Sequence, residues 1–274
     1  MNDKSLKIVF WGEDAFSNII LNSLIEANHQ VVLVVTPYYE NLIYKKLEFT
    51  CNKHRIPLLR AKKINSEETY NAVKEAKPDL CVISHFERLI KEPLLSIPPM
   101  GFINLHPSLL PDYRGMAPQH WPIINGEKEA GITVHYVDEG TDTGNIILQY
   151  KFLLLPDMYV SDLQKIWMGH YKTIMVEAIN NILSGKPTVE QRHLQGRYYG
   201  KLKEEQCQID KEGSVKDAYN LVRGVSLPYY GARYDDTIIY RAHILQPNEV
   251  VDADKLTYEF SDGILVADKY KKLN

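Results

Sequence analysis

An α/β chain built on a doubly wound, mostly parallel sheet is predicted by three features of the N-terminal half. Leu6 to Trp11 is an apolar run closed by Gly12. Phe16 to Ala27 then carries apolar residues at helical spacing (Phe16, Ile19, Ile20, Leu24). Val31 to Val35 is a second apolar run, closed by Thr36 and Pro37. Strand, helix and strand in that order open a Rossmann-like fold, and continuous apolar runs suit strands covered on both faces. A chain of 274 residues leaves room for one large domain and a small appendage. The pattern changes near residue 189, so residues 1–188 form the expected main domain. Residues 189–274 form a small C-terminal subdomain, a helix plus a β-element.

The first turn holds Gly12 without the GxGxxG spacing, which argues against a dinucleotide site. Glu13 and Asp14 there complement a helix dipole but repel phosphate. Asn41 to Asn52 reads as a helix with Lys45, Lys46, Lys53 and Arg55 nearby, either a solvated basic face or a diphosphate contact. Ile56 to Leu59 is a short strand, and Ser66 caps a helix to Ala76. Asp79 to Ser84 is a buried strand, with His85 to Ile90 following at its ligand-facing end. Ala117 to Asn125 reads as a short helix, with Gln119 and His120 near its start. Gly131 to Val137 and Asn145 to Leu154 read as antiparallel strands, and Ser161 to Leu183 as one long helix stopped by Gly185 and Pro187. In the tail, Ser214 caps a helix to Gly224. Thr237 to Ile244, Lys255 to Phe260 and Gly263 to Ala267 are strands, the last two joined by a Ser261-Asp262-Gly263 hairpin.

The chemistry is carried by Asn104, His106 and Asp142. Gly101 to His106 is an apolar run ending in polar groups, and Pro107 and Pro111 prevent its continuation. Asn104 and His106 are two apart, so on a strand they share a face. Asp142 sits in a turn flanked by Gly140 and Gly144. A carboxamide and an imidazolium can donate to an oxygen that becomes negative in a tetrahedral intermediate. A carboxylate can orient the ring in its charged form and help take a proton from an attacking amine. No nucleophile elbow is present, so direct acyl transfer to nitrogen is expected. His135 is expected to be a satisfied structural residue.

Asn104-Leu105-His106-Pro107-Ser108-Leu109-Leu110-Pro111, then Tyr113-Arg114-Gly115, Trp121 to Gly126 and Thr141-Asp142-Thr143-Gly144, resemble the folate-dependent formyltransferases. That family includes methionyl-tRNA formyltransferase, glycinamide ribonucleotide transformylase and the N-formyltransferases of nucleotide-linked amino sugars. The resemblance covers residues 6 to 185 and implies 10-formyltetrahydrofolate as formyl donor, with Asn104, His106 and Asp142 catalytic. It also implies a pterin pocket lined by Phe86, Arg88, Leu89, Ile90, Val137, Asp138, Glu139 and Thr141. Plain core packing accounts equally for Phe86, Leu89 and Ile90. Tyr113, Arg114, Gln119, His120, Tyr229 and Tyr230 are candidates for the acceptor. Arg114 reads either as an anion contact or as a structural salt bridge.

A net charge of −3 leaves no general footprint for nucleic acid. No apolar run reaches membrane-spanning length. Three scattered cysteines, Cys51, Cys81 and Cys207, suit a reducing cytoplasm and no metal site. The tRNA enzymes of the resembled family carry a larger C-terminal barrel and a basic insertion after the second strand. The purine-pathway enzymes end near the long helix. Length, acidity and the aromatic tail therefore select a dTDP-linked amino-dideoxyhexose as acceptor, as in surface-glycan synthesis. Methionyl-tRNA is the alternative, and a folate or nucleotide binding module the non-enzymatic one. Tail tyrosines would stack on a base, worth about 1–3 kcal/mol each, or pack between the two parts. An exposed aromatic tail also suits a homodimer.

Overall fold

The structure, a computed structural model, describes residues 5–40, 45–191, 195–252 and 254–273. In chain order the first elements are β1 (Lys7–Trp11), α1 (Ala15–Glu26), β2 (Gln30–Pro37), α2 (Lys45–His54), β3 (Leu58–Ala61), α3 (Glu67–Ala76), β4 (Leu80–Ser84) and β5 (Phe102–His106). Next come β6 (Arg114–Gly115), α4 (Trp121–Ile124), β7 (Glu129–Tyr136), β8 (Ile146–Leu153), α5 (Val160–Tyr171) and α6 (Ile174–Leu183). The last are β9 (Tyr198–Tyr199), α7 (Val215–Val225), β10 (Ala232–Tyr234), β11 (Thr237–Ile244), β12 (Leu256–Phe260) and β13 (Gly263–Lys272).

The chain divides into two compact units. The first takes 1–114, 131–150 and 167–197, and the second takes 115–130, 151–166 and 198–274. Two earlier excursions, 115–130 and 151–166, thus join the second unit besides the tail from 198 on. The first unit holds a seven-stranded sheet in the order β3-β2-β1-β4-β5-β7-β8. β1 to β5 are parallel, and β7 runs antiparallel to β5. β8 returns antiparallel to β7: Tyr136 N–H donates to Asn145 O at 2.9 Å, and Gly131 lies against the Tyr150 carbonyl.

The apolar runs do what their composition dictates. Ile8 to Trp11 and Leu80 to Ile83 are buried, and Val9, Trp11, Val35, Cys81 and Phe102 belong to one core cluster. The order reverses between β1 and β4, so their carboxyl ends open a crevice. α1 starts there on Asp14, whose side chain accepts from the N–H groups of Phe16 and Ser17. Ser17 Oγ answers to the Asp14 N–H in a capping box. Such a cap contributes about 1 kcal/mol. Ser66 caps α3 as expected. Asn41 to Tyr44, the start of the expected helix to Asn52, lie outside the described residues, and α2 runs from Lys45 to His54.

The expected single helix from Ser161 to Leu183 is two helices, α5 and α6. The ladder breaks at Thr173, whose N–H bonds three residues back to His170 O at 3.1 Å. The turn leaves Tyr171 fully buried, with its hydroxyl 3.0 Å from His85 Nε2.

The second unit holds a four-stranded sheet, β10-β11-β13-β12, with antiparallel neighbours. α7 is capped by Ser214 and contributes Val215, Ala218, Val222 and Val225 to a core shared with Ile239, Leu265 and Ala267. β12 and β13 form a hairpin where one was expected, with Phe260 pairing with Gly263, so the turn itself is Ser261 and Asp262. The tail aromatics pack on one another: the Tyr234 ring lies 4.2 Å from Tyr258 and 6.4 Å from Phe260. No helix among the described residues is long and apolar enough to cross a membrane.

Candidate active site

β5 ends at the carboxyl edge of the first unit's sheet, and its pleat aims Asn104 and His106 to one side. The β7–β8 loop brings Asp142 to them. Asp142 Oδ1 stands 3.5 Å from Asn104 Nδ2, and Oδ2 stands 3.6 Å from His106 Nδ1. The three sequence-predicted residues therefore converge. Asp142 adopts φ +55°, a left-handed conformation that a non-glycine residue holds only when its surroundings fix it. Position 144 must be glycine because a Cβ there would overlap the Tyr136 carbonyl oxygen.

A fourth group joins the three. β5 and β7 pair with Asn104 opposite His135, and His135 Nε2 lies 3.2 Å from Asn104 Nδ2 and 3.5 Å from Asp142 Oδ1. His135 Nδ1 is 2.7 Å from the Tyr136 carbonyl, so it carries a hydrogen and leaves Nε2 as acceptor. One Asn104 amide hydrogen is thereby held by His135. The other, at 3.5 Å from Asp142, is longer than an ordinary hydrogen bond and can turn to a ligand oxygen.

His106 differs from expectation. Its ring is buried, and burial pushes its pKa below the ordinary value, against the opposing pull of Asp142 and the Tyr113 carbonyl. The free site therefore holds a neutral imidazole, not the expected imidazolium. Nε2 donates to Tyr113 O at 2.7 Å, which leaves the Nδ1 lone pair facing Asp142.

The proposed pterin loop lies at the switch point after β4. Asn65 ties down two of its backbone groups: Nδ2 donates to Leu89 O at 2.9 Å, and Oδ1 accepts from Lys91 N at 2.8 Å. The alternate groups, the N–H and C=O of Arg88 and Ile90, have no partner among the described residues. Such a row of open backbone groups, with Phe86 on Trp11 at 5.7 Å nearby in sequence, fits a heterocycle that needs paired donors and acceptors. Glu13 supports the same loop. It is buried, accepts from the Glu87 N–H and from Tyr39 Oη, and burial raises its pKa. Leu89 is 61% exposed, whereas Ile90 is buried in the core. Val137 packs on that core and donates to Phe102 O at 2.9 Å. Asp138 Oδ1 accepts from Gly140 N–H and Thr143 Oγ1, which shapes the exposed Asp138–Glu139–Gly140 corner beside Thr141.

The acceptor candidates fall in both units. Tyr113 is buried and reaches His106 through its carbonyl. Arg114 Nη2 donates to Gln191 Oε1 at 3.0 Å. In the second unit, His120 is buried with Nδ1 2.7 Å from Gly224 O, and its ring meets Tyr229 edge-on at 4.3 Å. Gln119 Nε2 lies 3.2 Å from His120 Nε2, and Tyr229 Oη is held by Gln164. These contacts hold the His120 and Tyr229 side chains within the second unit. Tyr230 is exposed.

A doubly wound sheet with an amide, an imidazole and a carboxylate at its carboxyl edge defines an acyl-transfer site, and comparison with known proteins gives its family. The family model described as "Formyl transferase" matches residues 6–179. The chain is 33% identical over 273 residues to a methionyl-tRNA formyltransferase of Desulforamulus reducens, covering 95% of this chain and 86% of that one. It is 32% identical over 272 residues to the enzyme of the same name in Clostridioides difficile, covering 96% and 88%. The crystal structure of an N-formyltransferase from Helicobacter canadensis, with folinic acid and dTDP-3-aminofucose, superposes with a TM-score of 0.75. At 21% identity, with 96% and 98% of the chains covered, this likeness establishes the fold. The chain belongs to the formyl transferase family. It is an N-formyltransferase whose formyl donor is 10-formyltetrahydrofolate.

The expected acceptor, a dTDP-linked amino sugar, is overturned by these relatives. The two relatives at 32–33% identity are methionyl-tRNA formyltransferases, and their similarity runs through the tail, so its length does not exclude such an enzyme. Surface-glycan synthesis falls with it.

Proposed function

We propose that the enzyme formylates the α-amino group of methionyl-tRNA. The observation that carries this reading is the 33% identity to a methionyl-tRNA formyltransferase across 95% of the chain. Overall acidity does not oppose it, because a local patch can meet the phosphates while net charge stays negative.

10-Formyltetrahydrofolate supplies the electrophilic formyl carbon and the nitrogen that leaves. The Arg88–Ile90 backbone edge would hold its ring. Asn104 uses its second amide hydrogen to stabilise the oxygen that gains charge as the amine adds. His106 begins neutral, and its Nδ1 with Asp142 receives the amine's proton. Once protonated, the ring is held between Tyr113 O and Asp142, so its burial cost is offset at the moment of reaction. The pair then returns the proton to the departing nitrogen. His135 keeps Asn104 in register.

The test is an acceptor panel with labelled 10-formyltetrahydrofolate: charged initiator tRNA, free methionine and dTDP-amino sugars. Formyl-methionyl-tRNA as the main product is expected. Turnover of a sugar without turnover of tRNA would refute the assignment.

A further inference from the structure

Asp142 meets its three site partners at 3.5–3.6 Å, longer than normal hydrogen bonds. The main chain that carries this carboxylate is anchored as well. The main chain is held by a residue that no sequence motif flags. Gln191 is completely buried, and its Nε2 donates to the carbonyls of Asp142 at 3.2 Å and Gly144 at 2.6 Å. Its Oε1 accepts from Arg114 Nη2 at 3.0 Å. The two amide hydrogens thus match two loop carbonyls, and the amide oxygen matches one guanidinium hydrogen.

We propose that Gln191 is a positioning residue for Asp142, holding the loop so that the carboxylate stands at His106 Nδ1. The proposal rests on the roles given above to His106 and Asp142. Arg114 and its neighbour Tyr113 complete the arrangement. Tyr113 O fixes the far side of the imidazole, while Arg114, through Gln191, fixes the loop that carries the carboxylate. One dipeptide therefore sets both ends of the His106–Asp142 contact. It also gives the left-handed Asp142 the external support that such a conformation needs.

The test combines Gln191→Met, Asp142→Asn and the double variant, with melting temperature, donor KM, kcat and the His106 titration by NMR. Gln191→Met keeps the volume and loses the polar contacts. We expect kcat to fall about 10- to 100-fold, as for a misplacement near one ångström, with donor KM changed less than about threefold. His106 should titrate at lower pH than in the parent, since a displaced carboxylate no longer raises its pKa. In the Asp142→Asn background, Gln191→Met should cost nothing further, because it acts through that carboxylate. Full activity in Asp142→Asn would defeat the site reading itself. A crippled Asp142→Asn with an unaltered Gln191→Met, or equal losses in both backgrounds, would overturn the role of Gln191 alone. Should the Met variant fail to fold, Gln191→Glu keeps the Arg114 contact, removes both donors and carries the same kinetic comparison.

Discussion

At the scale of single residues, burial and charge pull His106 in opposite directions. Burial dominates and keeps the free ring neutral, while Asp142 pulls its pKa upward. Asp142→Asn should therefore lower the His106 titration midpoint, followed by ring-proton NMR; an unchanged or raised midpoint would contradict the contact. His106→Asn removes both the proton acceptor and the bond to Tyr113 O, and kcat should fall at least as far as for loss of one oxyanion donor, about 10²–10³. Asn104, His106 and Asp142 were legible because polar groups ending an apolar strand and a carboxylate between glycines are local signals. His135 was not. On a strand buried on both faces its polarity is uninformative, and its meeting with Asn104 depends on the β5–β7 register. Gln191 was hidden for a similar reason: its partners lie 47 to 77 positions away in sequence.

Among the elements, the loop after β4 depends on a side chain from the stretch before α3. Asn65→Ala deletes two hydrogen bonds to that loop. At about 1 kcal/mol each, donor KM should rise roughly tenfold or more with kcat within about threefold, measured by steady-state kinetics. A fall in kcat alone would mean that the loop does not hold the donor. Gly144→Ala should leave little folded enzyme, because the added methyl meets the backbone of Tyr136; recovery of soluble, active protein would be the contrary result. Most elements followed from periodicity and caps, including the starts on Ser66 and Ser214. The failures were tertiary. The helix break at Thr173 accompanies burial of Tyr171 against His85, which no local propensity encodes. β13 runs to Lys272 rather than Ala267 because its charged end pairs with β11, Thr237 opposite Lys272. Polar composition hid that pairing.

For the whole molecule, buried histidines set the acid side of stability. His85, His106 and His120 all have pKa values lowered by burial. The folded protein resists their protonation, so the stability they allow is present above the unfolded value near 6.5 and lost as pH falls below it. Glu13, raised by burial, acts in the opposite sense above the ordinary carboxylate range and offsets part of this. Tm should fall between about pH 7.5 and 5.5, on either side of that unfolded value, and His120→Gln should flatten that fall; a flat profile in the parent would contradict it. Two parts were expected from the sequence, but the excursions 115–130 and 151–166 into the second unit were not, because they lie within the stretch whose pattern belongs to the first. The acceptor escaped it because length and net charge describe the chain, not the surface that meets a substrate.

In the mechanism proposed, a carboxylate beside a neutral imidazole moves the proton during formyl transfer to methionyl-tRNA. The most direct measurement is the single-turnover rate of formyl-methionyl-tRNA formation by the parent and by Asp142→Asn, at saturating donor. Product with the parent and a rate lower by about 10² or more in the variant are expected. Equal rates in the two proteins would contradict the mechanism.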